Sequence, residues 1–156
     1  PFDFGKTIHN WCALTTGKEI QFHVSFDVPV GHDHSSLMSD PTEGEYFGDL
    51  TDDVHYVIDR EIDGDNPYGT PQDSSSRRFY FHSDTCISSI HFLPRGGHLK
   101  VLCTLRSTNS VHNGPLDLGF LAHLAASVAR AYPDWSTDRI TLDVRFNSLH
   151  VRLDTV

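Results

Sequence analysis

Positive charge is scarce in this chain of 156 residues: 12 lysines and arginines stand against 21 aspartates and glutamates, for a net charge of −9. A surface that acidic excludes wholesale nucleic-acid binding through a basic face, so any phosphate recognition has to be local. Cysteine is sparse as well. Cys12, Cys86 and Cys103 make an odd set without regular spacing, which argues against a disulfide scaffold and for a reducing compartment. No apolar run approaches the length of a membrane span and the first residues carry no signal-peptide pattern. The expectation is a soluble, cytoplasmic protein without a membrane partner, whose opening on Pro1 fits a trimmed or lost start. Also missing are a P-loop, a dinucleotide fingerprint, a Cys-x-x-Cys pair and a Gly-x-Ser-x-Gly elbow, which removes the commonest cofactor and hydrolase chemistries.

What is present reads as one domain, long enough to bury roughly two-thirds of the surface its unfolded chain exposes. Thr7 to Gly17 has the length of a short helix ended by glycine, and Glu19 to Val30 alternates apolar with polar residues as a strand does. Gly31 to Glu45 reads as loop. Leu50, Val54, Val57, Ile58 and Ile62 share one helical face, with Thr51 or Asp52 as the expected N-cap. Asp63 to Ser76 is a polar loop. Strand-like runs follow at 77–82, 87–93, 99–106 and 140–152. Leu116 to Tyr132 is the strongest helix, stopped by Pro133. The fold class is therefore α+β, a single domain over residues 1–156 with a mixed β-sheet packed against a long helix.

The stretch from Arg77 to Asn109, RRFYFHSDTCISSIHFLPRGGHLKVLCTLRSTN, concentrates the candidate chemistry. Cys86 lies just ahead of a strand, with arginines at 77, 78 and 106 on neighbouring elements, and cations of that kind favour thiolate over thiol. Arg106-Ser107 closes a strand, where a guanidinium and a hydroxyl can grip one phosphate in a forked geometry. Each has a plainer alternative: a small buried cysteine, an edge arginine in a salt bridge, a solvated arginine pair. His32 and His34, with His23, raise the question of a metal, since alternate histidines in extended chain point one way. No glutamate follows at a suitable spacing before Glu43, so a polar loop and no metal are expected there.

The run CISSIHFLPRGGHLKVLCTLRSTNSVHNGPLDLGFLAHLA resembles the thymidylate synthase family, which includes deoxycytidylate hydroxymethylases. In that register Cys86 falls on the catalytic nucleophile and His91-Phe92 on the family's Gln-Phe. Gly97 and Leu99 fall on its turn, and Arg106-Ser107 on the phosphate-binding Arg-Ser. Asn109 takes the place of an aspartate, Pro115 matches the proline, and Asp117 takes the place of the pyrimidine-reading Asn. Upstream, SSSRRF is similar to the family's Ser-Arg-Arg, which implies that Arg77 and Arg78 reach across a homodimer to the partner's bound phosphate. Downstream, SLHVR echoes its sugar-binding segment and marks His150. The resemblance spans about Asp52 to His150 and implies a thymidylate synthase-like fold of reduced size.

The departures are also informative. Seven residues separate Arg78 from Cys86, fewer than in the family, and the flanks of the cysteine read Thr-Cys-Ile rather than Pro-Cys-His. The section that supplies the general-base glutamate is compressed, leaving Glu43 or Glu45 as candidates. A segment closing over folate has no counterpart up to Val156, and Asn109 removes a contact to the folate ring. The resemblance implies C5 hydroxymethylation or methylation of a pyrimidine nucleoside monophosphate, cytidylate favoured, with methylene-tetrahydrofolate as one-carbon donor and Cys86 adding at C6. A different class stays open beside it: a non-catalytic nucleotide binder acting as sensor, sponge or regulatory subunit. For Asp117 the plain alternative is a carboxylate attracted by the dipole of its helix.

Overall fold

The computed structural model describes residues 19–63, 79–109 and 113–150. The helix expected at Thr7–Gly17, most of the polar loop after Asp63, and Arg77 and Arg78 lie outside them.

The strands form one mixed sheet. They are β1 (Glu19–Val28), β2 (Tyr80–His82), β3 (Ile87–Arg95), β4 (His98–Leu105), the two-residue β5 (Thr108–Asn109) and β6 (Arg139–His150). The order is β1-β6-β4-β3-β2, with β5 added against β6. β4 and β6 run parallel, so a crossover must join them, and the helix α2 (Gly114–Ala131) supplies it. The other neighbours along the main path pair antiparallel. Gly96 and Gly97, with φ of 54° and 84°, make the two-residue turn between β3 and β4, where positive φ at both positions suits the twist of the strands.

Period-2 alternation puts Leu99, Val101, Cys103 and Leu105 of β4 and Ile140, Leu142, Val144 and Phe146 of β6 in the core. α2 lies against that face and is buried on nearly every side, from Leu118 through Ala129. This is why its sequence carries an unbroken apolar run rather than a stripe. A second helix, α1 (Gly44–Asp63), buries Phe47, Leu50, Val54 and Ile58. Phe47 stacks on Phe120 of α2 with ring centroids 4.3 Å apart and planes within 6°. The single-domain α+β architecture matches expectation. No helix among the described residues is long and apolar enough to cross a membrane.

One expectation is corrected. α1 starts at Gly44, well before Thr51 and Asp52, so neither caps it. Thr51 is inside the helix and its hydroxyl donates to the Phe47 carbonyl at 2.8 Å. The start is organised by Asp40, whose carboxylate accepts from the Glu43 N–H at 2.8 Å and from the Thr42 N–H at 3.1 Å. Two glycines, at 44 and 48, hide this first turn from propensity reasoning. Gly44 is needed for closeness, since a Cβ there would run into the Met38 carbonyl.

Candidate active site

Strand pairing brings the cysteine and the arginine together. Ile87 lies opposite Leu105 in the β3–β4 ladder. Cys86 is therefore one residue before its strand and Arg106 one residue after its own, facing each other. The Arg106 N–H donates to the Cys86 carbonyl at 2.9 Å, which fixes the two backbones. Cys86 is exposed, whereas Cys103, further along the same pair of strands, is buried. Burial pushes the Cys103 thiol far above its usual range, so the two cysteines divide into an accessible one and an inert one.

The exposed thiol opens onto a cavity of about 290 Å³. From the sheet come Thr85, Cys86, Arg106 and Ser107; from the start of α1 come Glu43 and Tyr46; from the start of α2 come Asn113 and Asp117. Arg106 and Ser107 are exposed, and among the described residues neither side chain has a hydrogen bond or an ion pair. The plain alternative of an edge arginine held in a salt bridge is not what the described residues form.

Asp117 lies in the first turn of α2 and is only 6% exposed. Burial, with the Glu43 carboxylate as a second cause, pushes its carboxyl from 3.8 up to about 7. A helix dipole at this position favours the anion by about 0.3–1 kcal/mol, which cannot offset a displacement worth about 4 kcal/mol. Attraction to the dipole is thus outweighed. Among the described residues no donor reaches the Asp117 carboxylate, while Asn113 Nδ2 donates to Glu43 Oε1 at 3.3 Å. A buried acid without a partner, facing a cavity, is the arrangement expected of a group kept for a ligand.

The sequence-derived residues divide as follows. Cys86, Arg106, Ser107 and Asp117 share the cavity, and of the two glutamates Glu43 lines it while Glu45 is exposed elsewhere. Asn109 and His150 pair with each other across β5 and β6, and His150 is not among the lining residues. Sequence reasoning missed Tyr46, Thr85 and Asn113. For Asn113 a signal existed, the Asn-Gly-Pro that opens α2.

A larger hollow of about 340 Å³ lies on the outer side of β1 and β6, among Gln21, His23, Arg145 and Asn147. Its His23 is paired with Asp143 at 2.8 Å and it contains no nucleophile, so chemistry favours the smaller cavity. Among the described residues no group of three or more histidine, cysteine or carboxylate side chains is placed to hold a metal. His34 instead donates its backbone N–H to His123 Nδ1 at 2.9 Å, tying the loop before α1 onto α2.

No protein-family profile matches the chain, and no curated protein sequence does. Among solved structures it is similar to the crystal structure of thymidylate synthase from T4 phage. The TM-score is 0.54 at 11% sequence identity, over 86% of this chain and 67% of that one. At that identity the likeness establishes a thymidylate synthase-like fold.

Proposed function

We propose that the protein binds a pyrimidine nucleoside monophosphate and transfers a one-carbon unit to C5 of its base, as one domain over residues 1–156. The carrying observation is the convergence on one cavity of an exposed thiol, an arginine without a carboxylate partner and a buried carboxyl group. The cavity is at the small end of ligand sites, which suits a mononucleotide better than a larger molecule. In this reading Arg106 and Ser107 hold the phosphate through a fork of charge-assisted bonds. That grip sets the ring over Cys86 Sγ, so binding energy becomes orientation.

The chemistry follows from the ring. C5 of a pyrimidine is a weak nucleophile until Sγ bonds to C6. The C5=C6 π electrons then move toward C4, and C5 acquires carbanion character. C5 attacks a one-carbon electrophile at the formaldehyde oxidation level, and its proton leaves to a carboxylate base. Water adds at the new carbon as the carrier departs from it, giving the hydroxymethyl group, and expulsion of Sγ restores the double bond. Glu43 is the carboxylate we assign to that base, in preference to the exposed Glu45.

Asp117 bears on the base. Cytosine presents a basic ring nitrogen beside an amine donor. A carboxyl that is half protonated near neutrality can share its proton with N3 and accept from the amine. Uracil offers a carbonyl oxygen of far lower basicity in place of the amine. Cytidylate, as dCMP or CMP, is therefore favoured; the family resemblance, in which an aspartate at this place goes with cytidylate hydroxymethylases, favours hydroxymethylation over methylation.

The resemblance implies methylene-tetrahydrofolate as donor. Among the described residues Tyr46 is the aromatic ring lining the cavity, with its hydroxyl held by Thr85 and Ile87. No residue is assigned to the carrier of the one-carbon unit. This keeps the second reading alive, a nucleotide binder that acts as sensor or regulatory subunit. A homodimer belongs to both readings, with the outer face of the sheet as the contact and Arg77 and Arg78 reaching the partner's phosphate. Free Cys86 and Cys103 agree with a cytoplasmic setting.

The test is calorimetric titration of dCMP, CMP, dUMP and UMP into wild type and Arg106→Ala. The expected result is a cytidylate preference whose affinity drops by roughly 10- to 100-fold in the variant, the loss of a charge-assisted pair. Absence of binding by all four nucleotides sinks the proposal.

A further inference from the structure

Cys86 sits in a short turn between β2 and β3, and turns of exposed residues do not by themselves hold a reacting atom still. The turn has internal order: the Thr85 N–H donates to Ser83 Oγ at 3.0 Å and the two hydroxyls lie 2.8 Å apart. The backbone of Cys86 is tied to the end of β4 by the Arg106 N–H, and a side-chain anchor on either side of it comes from α1. The Tyr46 hydroxyl is 2.6 Å from Thr85 Oγ1, and it accepts the Ile87 N–H at 3.4 Å. Thr85 and Ile87 are the two residues flanking Cys86.

We propose that Tyr46 is a positioning residue for Cys86, its single hydroxyl clasping the chain on both sides of the thiol and so setting where Sγ stands above the cavity. The inference rests on the reading of Cys86 as the nucleophile. It goes beyond that reading, because nothing in the resemblance marks Tyr46.

The hydrogen-bond inventory closes with one assignment. The Ile87 carbonyl can only accept, and Thr85 Oγ1 lies 3.4 Å from it. If the Thr85 proton points there, the Tyr46 phenol and the Ser83 hydroxyl both donate to Thr85 Oγ1. Tyr46 is then fully engaged, donating to Thr85 and accepting from Ile87. Burial holds the phenol above its ordinary value, partly offset by the Thr85 bond, so it remains a donor across the neutral range. Tyr46 also follows Glu43 by three positions at the start of α1, which puts both on one side of the helix. The base candidate and the thiol are thereby referred to the same turn. A shift of the α1 start moves both together.

The experiment compares wild type with Tyr46→Phe, Thr85→Val and Thr85→Ser. Two quantities are read: the rate of Cys86 alkylation by iodoacetamide, followed by peptide mass spectrometry, and nucleotide affinity against turnover. Tyr46→Phe keeps the ring and Thr85→Ser keeps the acceptor. The expected outcome is an alkylation rate altered at least about threefold in Tyr46→Phe and Thr85→Val, with Thr85→Ser close to wild type. Turnover falls by roughly 10- to 100-fold in the first two while the nucleotide Kd stays within about twofold, the pattern of a misplaced reacting atom. Unchanged alkylation in Tyr46→Phe overturns the clasp, as does a Thr85→Ser as impaired as Thr85→Val, which would make the effect one of packing. If wild type neither binds nor turns over a nucleotide, the proposed function fails, and the alkylation arm still decides the role of Tyr46.

Discussion

Replacing Asp117 by asparagine keeps the outline of the side chain and removes its titration. In the folded protein the carboxyl is displaced from 3.8 up to about 7, by burial first and by Glu43 second. A folded value above the unfolded one means that stability from this group is fully present below pH 3.8, and is lost as pH rises toward about 7. In that window the folded state binds the proton and the unfolded state does not. Integrated from about pH 4.5 to about pH 8, the loss is about 3 kcal/mol, which in a chain of this size is about 6–12 °C in Tm. Asp117→Asn does not carry this term. Its stability relative to wild type should therefore climb by about 3 kcal/mol across that range and level off above about pH 7.5. Urea unfolding of both proteins at four or five pH values measures the difference, and titrating groups remote from Asp117 cancel in the comparison. A difference that does not vary with pH refutes the reasoning. Water in the cavity would then be solvating the anion, and Asp117 would have no proton to share with cytosine. The same variant should lose its preference for dCMP over dUMP.

Cys86→Ser should keep nucleotide affinity within a few-fold and abolish turnover, whereas a pure binder would show no functional change; calorimetry and a product assay separate these outcomes. Gly44→Ala should cost about 1–3 kcal/mol in urea unfolding, because the new methyl meets the Met38 backbone carbonyl, which cannot swing aside. Glu43→Gln should remove turnover and Glu45→Gln should leave it unchanged, judged by product formation at saturating nucleotide. Light scattering should give the mass of a dimer; a strict monomer that still binds nucleotide tightly refutes the crossing of Arg77 and Arg78.

Much of the sheet was legible because its signals are local. β1, β3, β4 and β6 each alternate at period 2 or run apolar between turn residues, and their observed bounds differ from the expected ones by a residue or two. The run expected at 140–152 is a single strand among the described residues, Arg139–His150. Pro94 lies inside β3, where sequence reasoning ended the strand; it stands next to the hairpin turn, where the ladder is about to close. The cavity was legible only in part, and the reason is distance along the chain. Cys86 and Arg106 meet through a register that a hairpin sets, so their meeting follows from the Gly96-Gly97 turn between them. Tyr46 meets Thr85 across 39 positions, and Glu43 meets Asn113 across 70. Neither pairing leaves a mark in local pattern, since both depend on how α1 and α2 dock.

The choice between Glu43 and Glu45 shows what could have been read. Two positions apart on a helix place side chains on nearly opposite sides, so at most one of the pair faces the site. The phase is recoverable from the buried residues Phe47, Leu50, Val54 and Ile58, spaced by three and four. Stepping back four from Phe47 lands on 43, not 45, and the next step in the pattern from 43 is Tyr46. The stripe was obscured because Gly44 and Gly48 argue against helix at that point. Gly44 is there for contact with Met38 rather than for freedom of the backbone, and that contact is tertiary. A glycine chosen for closeness thus masked the helical start that brings both the carboxylate and the phenol to the cavity Cys86 lines.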